Sequence, residues 1–212
     1  MKIALINGSP KFKNSASGYI LKELKNLLKN DDNTIYEYCF RKPQLDDKEI
    51  SELTKCNTLI FAFPLYVDAI PSHLISCFIK LEQIFSELNE KDINVYALVN
   101  CGFYEGHQNR IALEIMENWS FKAGLNWKQG IGIGAGGMIT ATESIPLGHG
   151  PKKNLGKALK KISENILKNS PGQNIFITAN FPRFLYKFSA EMGWKQLIKK
   201  NGLQKKDLFL KR

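Results

Sequence analysis

The sequence predicts an α/β fold built on a single parallel β-sheet, and three features carry that prediction. Short apolar runs alternate with segments whose apolar residues recur at helical spacing, from residue 3 to residue 167. Such alternation implies βαβ units with right-handed crossovers. Residues 58–63 and 95–99 are nearly continuous apolar stretches, as strands covered by helices on both faces require. Finally, the chemically distinctive loops follow the first, third and fourth of these runs, and open parallel sheets bind ligands at the carboxyl ends of their strands.

Taken in order, Ile3-Ala4-Leu5-Ile6 is the first strand, followed by a helix over residues 15–29 with Ile20, Leu21, Leu24, Leu27 and Leu28 at helical spacing. Asp31-Asp32-Asn33 breaks that pattern, and residues 34–40 return to β-formers, Ile35, Tyr36, Tyr38 and Phe40. A helix over 46–55 presents Ile50 and Leu53. The third strand, 57–63, leads to Pro71, which suits a first helical turn, and to a helix over 71–88 with Leu74, Phe78, Leu81 and Phe85 on one side. A fourth strand over 94–100, a helix over 108–123, a fifth strand over 127–133 and a last helix over 152–167 complete the alternation.

The loop from Asn7 to Ser17 joins the first strand to the first helix. The leading N–H groups of a helix have no intrahelical partner and sit at the positive end of its dipole, so this turn is an anion cradle. Ser9, Asn14, Ser15 and Ser17 can add side-chain donors, and Lys11 and Lys13 positive charge. The spacing matches neither G-x-x-x-x-G-K-[ST] nor G-x-G-x-x-G. Hydroxyls with few glycines suit a terminal phosphomonoester better than a pyrophosphate. The same Ser and Asn residues also serve as ordinary helix caps.

Gly8-Ser9-Pro10-Lys11 with Asn14-Ser15 resembles the phosphate loop of the flavodoxin-like NAD(P)H-dependent FMN reductases, with Lys11 where Arg is usual. Phe63-Pro64-Leu65-Tyr66-Val67-Asp68-Ala69-Ile70-Pro71 looks like that family's P-x-Y-x-x-x-x-P flavin loop, and Asn100-Cys101-Gly102-Phe103-Tyr104-Glu105-Gly106 resembles its loop after the fourth strand. The resemblance implies a flavodoxin-like, five-stranded parallel sheet of order 2-1-3-4-5 with helices on both faces, over residues 1–170. It implies FMN as cofactor, with NADPH or NADH as electron donor. Ser9, Lys11, Asn14, Ser15, Ala16 and Ser17 would hold the phosphate. Pro64, Leu65, Tyr66 and Val67 would give the isoalloxazine an apolar wall and backbone N–H groups. Asn100, Cys101, Gly102, Glu105 and Gly106 would pass beside the ring, with Gly102 allowing close approach. The flavin carries the hydride chemistry, so no catalytic side chain and no metal are expected.

The remaining motifs add little chemistry. Gly132-Ile133-Gly134-Ala135-Gly136-Gly137 matches G-x-G-x-x-G literally, but no helix signal follows until Pro151, so the match reads as accidental. Cys39, Cys56, Cys77 and Cys101 form no C-x-x-C pair, which argues against zinc ribbons and iron–sulfur clusters; the first three read as packed side chains. His73, His107 and His149 lack metal-ligand spacing and read as surface or packed residues. No run approaches the roughly 18 apolar residues of a membrane span, and the N-terminus reads as a strand, not a signal peptide, so a cytoplasmic protein is expected.

The net charge of +10 is unevenly placed: residues 1–150 hold 15 Lys and Arg against 17 Asp and Glu, residues 151–212 hold 15 against 3. The basic excess thus belongs to residues 171–212, read as a basic aromatic helical extension, and to the helix before it. The tail from 174 to 208 resembles that of clostridial-type members of the family. It is expected to pack on the domain or on a partner subunit of a homo-oligomer, with weak membrane-surface contact as the other option. The expected function is an FMN-dependent oxidoreductase reducing a small acceptor (quinone, nitro-aromatic or flavin). The alternatives are an FMN electron carrier acting with protein partners, or a peripheral membrane or nucleic-acid binding module. Nucleic acid is not an expected partner of the favoured reading.

Overall fold

The computed structural model describes residues 1–88, 92–204 and 206–207. Its strands are β1 (Lys2–Asn7), β2 (Thr34–Cys39), β3 (Thr58–Pro64), β4 (Asn94–Asn100), β5 (Asn126–Ile133) and β6 (Ile175–Ile177). All pair in parallel in one sheet of order β2-β1-β3-β4-β5-β6. The helices are α1 (Ala16–Leu28), α2 (Asp47–Leu53), α3 (Ser72–Glu87), α4 (Arg110–Lys122), α5 (Gly136–Ala141), α6 (Lys153–Leu167) and α7 (Arg183–Lys200).

Alternation within each strand sends side chains to two cores. Ile6, Phe61, Phe63, Val95 and Val99 join α2, α3 and α4 through Leu53, Leu74, Phe78, Leu81, Leu113 and Trp119. Ile3, Leu5, Ile60, Leu98, Ile131 and Ile133 join α1 and α6 through Ile20, Leu24, Leu28, Leu155, Leu159 and Ile162. Phe61 meets Phe78 and Trp119 edge-to-face and those two rings are tilted against each other, with centroids 4.8–5.6 Å apart, and the Trp119 indole donates to Phe78 O at 2.9 Å.

Two elements correct the expectations. Among the described residues the sheet has six strands, because residues 175–177, read as part of a helical tail, pair with Ile131–Ile133. Buried amides steer the chain there. The Gln129 side chain donates to Gln173 O at 2.7 Å and accepts from Asn165 Nδ2 at 2.8 Å, while Asn174 Oδ1 accepts from Gly130 N–H at 2.7 Å. The other correction is α5, which starts at once after β5, where no helix was expected before Pro151. Its opening glycines have poor helix propensity, but Ala135 N–H donates to Phe103 O at 2.6 Å and Gly136 N–H to Cys101 O at 2.7 Å, so tertiary bonds set its start. A third, smaller correction is Cys39, which is exposed on the edge strand β2, whereas Cys56, Cys77 and Cys101 are buried.

The chain divides into two compact units, Met1–Ala179 and Asn180–Arg212, the strand β6 belonging to the first. The second contains α7, none of whose residues is buried. The last residues of the expected extension, 208–212, lie outside the described residues. Among the described residues no helix is long and apolar enough to cross a membrane.

Candidate functional site

The carboxyl ends of β1, β3 and β4 open on one cleft. Of the residues singled out in the sequence, Ser9, Lys11, Asn14, Ser15, Ala16, Ser17, Pro64, Leu65, Tyr66, Asn100, Cys101 and Gly102 line it. Gly136, Gly137 and Thr140 of α5 line it too; the sequence reading missed them because it took their glycine motif for an accident. Val67, Glu105 and Gly106, expected at the site, do not line it.

The first loop is held from below. Gly8 N–H donates to Ala62 O at 2.8 Å, and Ser9, which is buried, donates its N–H to Asn7 Oδ1 at 3.0 Å. His73 Nε2 lies 3.2 Å from Gly8 O and 3.1 Å from Phe40 O; two carbonyl neighbours require that nitrogen to carry the proton. Asn14 turns the chain in the left-handed region (φ 53°), and Ser15 then caps α1, its Oγ accepting from Gly18 N–H at 3.0 Å. Tyr19 N–H is the first to find a main-chain partner, Ser15 O at 3.0 Å. The N–H groups of Ala16 and Ser17 therefore have no partner among the described residues, and no acidic residue occupies the first turn. Among the described residues Lys11 is the one charged residue lining the cleft, which makes that lining positive.

In the second loop Leu65 N–H donates to Asn100 O at 2.7 Å, and Tyr66 and Ala69 exchange N–H···O bonds of 2.9 and 3.0 Å. The N–H groups of Leu65 and Tyr66 are thus engaged inside the chain, which corrects their expected role as ligand donors. What the loop offers is side chain: Pro64, Leu65 and Tyr66, the last of them 45% exposed and so not a core aromatic. Val67 and Asp68 at the tip both have positive φ (47° and 60°), the geometry of a type I′ turn. A β-branched residue there is strained, and Val67 points into solvent, 99% exposed.

Asn100 joins all three loops. It is buried, and its Nδ2 donates to Ser17 Oγ at 2.8 Å and to Phe63 O at 3.1 Å. Next to it, Cys101 donates its N–H to Ile133 O at 2.9 Å, and its sulfur accepts from Asn109 Nδ2 at 3.4 Å. Burial pushes the Cys101 thiol up, away from thiolate chemistry. A Cβ built on Gly102 meets nothing within 4 Å. One built on Gly106 would lie 2.2 Å from Ile177 O and 2.4 Å from Gly132 O, so this glycine serves sheet packing, not the cleft.

Behind α1, Lys152 is 2% exposed and donates to the Tyr19 hydroxyl at 2.7 Å and to Glu143 O at 3.4 Å. Burial lowers its pKa, with the fields of Glu23 and Glu143 opposing, and burial followed by Glu23 pushes Tyr19 up to about 12.

No protein-family model matches the chain, and no curated protein matches it significantly. Solved structures do. The apo form of an NADH:FMN oxidoreductase superposes with a TM-score of 0.59 at 13% identity, over 81% of this chain and 90% of that one. An azoreductase from Bacillus anthracis str. Sterne gives 0.55 at 13% identity, over 80% and 99%. A short-chain flavodoxin associated with a bacterial microcompartment gives 0.57 at 14% identity, over 80% and 99%. At such identities the likeness is one of fold: the chain has the flavodoxin-like fold.

Proposed function

We propose that the cleft binds FMN and that the protein is an NAD(P)H-dependent flavin oxidoreductase reducing a small acceptor such as a quinone, a nitro-aromatic or free flavin. The observation that carries this reading is the open start of α1. Two unpartnered N–H groups, a buried Ser9 and Lys11 converge on a cleft whose other sides are the apolar second loop and the glycines of the third loop and α5. A phosphomonoester dianion fits the first part and a planar apolar ring the second. Among the described residues no Asp or Glu lines the cleft to repel the anion. The cleft encloses about 160 Å³, below the range usual for drug-sized ligands, so a ligand of flavin size would leave part of its ring at the mouth, accessible to reductant and acceptor.

Bound FMN would supply the hydride and electron transfer; the chain's part is to bind and orient it. The first turn of α1 takes the phosphate, Asn100 fixes α1 against β3 and β4, and Leu65 and Tyr66 flank the ring. The names of two structural neighbours, an NADH:FMN oxidoreductase and an azoreductase, support the enzymatic reading; the flavodoxin supports the second reading, an electron carrier working with protein partners. One FMN per chain is expected, bound tighter than riboflavin, with Ser9→Ala and Ser15→Ala narrowing the difference. Equal affinity for the two flavins in the native protein removes the phosphate assignment. Anaerobic titration separates the functions: bleaching of bound FMN by NADH or NADPH supports the oxidoreductase, and failure of both supports the carrier.

A further inference from the structure

One cation beside the cleft is not used by the flavin site. Arg41 follows β2, and its guanidinium carbon lies 5.0 Å from the centre of the Phe12 ring. Phe12 is the tip of the first loop and is 80% exposed, so it is not there to fill the core. Stacking holds the guanidinium in place without neutralising it. The Arg41 Nε is shut off from solvent and has no hydrogen-bond partner among the described residues, a costly state for a charged donor. Lys11 and Lys13 flank Phe12 in sequence and Lys42 follows Arg41; none of the four cations forms an ion pair among the described residues. Only Lys11 lines the cleft, so Arg41 lies outside the space where the flavin phosphate would sit.

We propose that Arg41, held on Phe12 at the carboxyl end of β2, binds a second phosphomonoester outside the cleft, the 2′-phosphate of NADPH, and so makes the protein selective for NADPH over NADH. This rests on the flavin reading of the neighbouring cleft. The two nicotinamide dinucleotides differ only in that phosphate. A stacked guanidinium, with Lys13 and Lys42 next in sequence to Phe12 and Arg41, offers a phosphate dianion charge-assisted donors: the terminal guanidinium nitrogens, which are not shut off as Nε is and have no hydrogen-bond partner among the described residues. The planar fork of Arg is suited to the two outward oxygens of a terminal phosphate.

The test separates this inference from the flavin reading by using fragments of the reductant. Calorimetry on the FMN-loaded protein compares adenosine 2′,5′-bisphosphate with 5′-AMP. The native protein is expected to bind the bisphosphate about tenfold tighter or more, Arg41→Ala to abolish that preference, and Arg41→Lys to retain part of it. The same substitution should lower the ratio of kcat/KM for NADPH over NADH by a similar factor. Equal binding of the two nucleotides by the native protein overturns the proposal, as does a preference that survives Arg41→Ala. If Arg41→Ala instead weakens FMN but not riboflavin, the guanidinium belongs to the flavin phosphate and the proposal fails. Because the fragments need no hydride transfer, a protein that no nicotinamide reduces would fail the oxidoreductase reading while the bisphosphate preference still decides the role of Arg41.

Discussion

A Cβ on Gly102 would meet nothing within 4 Å among the described residues. A side chain at this position would project into the region the flavin reading reserves for the ring. Gly102→Leu should therefore leave stability within about 0.5 kcal/mol of native while weakening FMN by tenfold or more. Unchanged flavin affinity in a folded variant would move the ring away from the third loop. Lys152 allows a second residue-scale prediction. Burial lowers its pKa in the folded chain, so between that value and the ordinary 10.5 the unfolded chain holds the extra proton. Stability then rises with pH through this window: the gain is complete above 10.5 and lost as pH falls through the folded value. Against a Lys152→Met variant, which cancels the titration of every other group, the native protein should gain stability as pH is raised from 7 towards 10.5. A difference independent of pH would show that Lys152 keeps its ordinary affinity for protons. The motif Gly-Ser-Pro-Lys announced the first loop plainly, because helix capping and anion binding use the same residues. Arg41 and Lys152 carried no such signal, since a charged residue beside an aromatic one in space need not be near it in sequence.

At the scale of elements, β1 to β5 and their intervening helices were legible because each buries a long apolar face, and burial writes a period into the sequence. The two elements that escaped are those that tertiary contacts hold in place. β6 has three residues, and amide bonds from Gln129, Asn165 and Asn174 place it at the sheet edge; α5 has six residues and begins with two glycines. Together with the third loop they make one joint, in which a Cβ on Gly134 would lie 2.1 Å from Tyr104 O, and one on Gly106 2.2 Å from Ile177 O. The obstructing atoms are backbone and cannot swing aside. Gly106→Ala should accordingly cost about 2 kcal/mol or more, read as a lower denaturation midpoint, by forcing β6 from β5 or the loop from both. A variant as stable as the native protein would mean that the joint is looser than these distances imply. The literal G-x-G-x-x-G match ends in this joint: Gly136 and Gly137 line the cleft, as the start of a short helix and not as a dinucleotide turn.

For the whole molecule the open matter is the unit from Asn180 onward. In α7 the row Phe184, Phe188 and Met192 runs beside Lys187, Glu191 and Lys195, with Trp194 and Ile198 beyond them, so charges are interleaved between apolar rows. Phe184 is 72% exposed, Phe188 59% and Trp194 67%. A helix lying in a bilayer surface needs its polar and apolar faces segregated, which this one lacks, although five of its residues are basic against one acidic. Burying an aromatic or Met side chain gains about 1.5–3 kcal/mol, so a protein surface that covers these residues, with the lysine stems lying across it, is the better match. A homo-oligomer provides such a surface. The cut that tests this falls after Ala179, because an earlier one would remove β6 and weaken the sheet whatever the tail does. The protein lacking residues 180–212 is expected to show a smaller assembly by sedimentation or a lower melting temperature. If assembly and melting are unchanged but binding to vesicles of acidic lipid is lost, and that binding in the full chain weakens with salt, the tail belongs to a membrane surface instead.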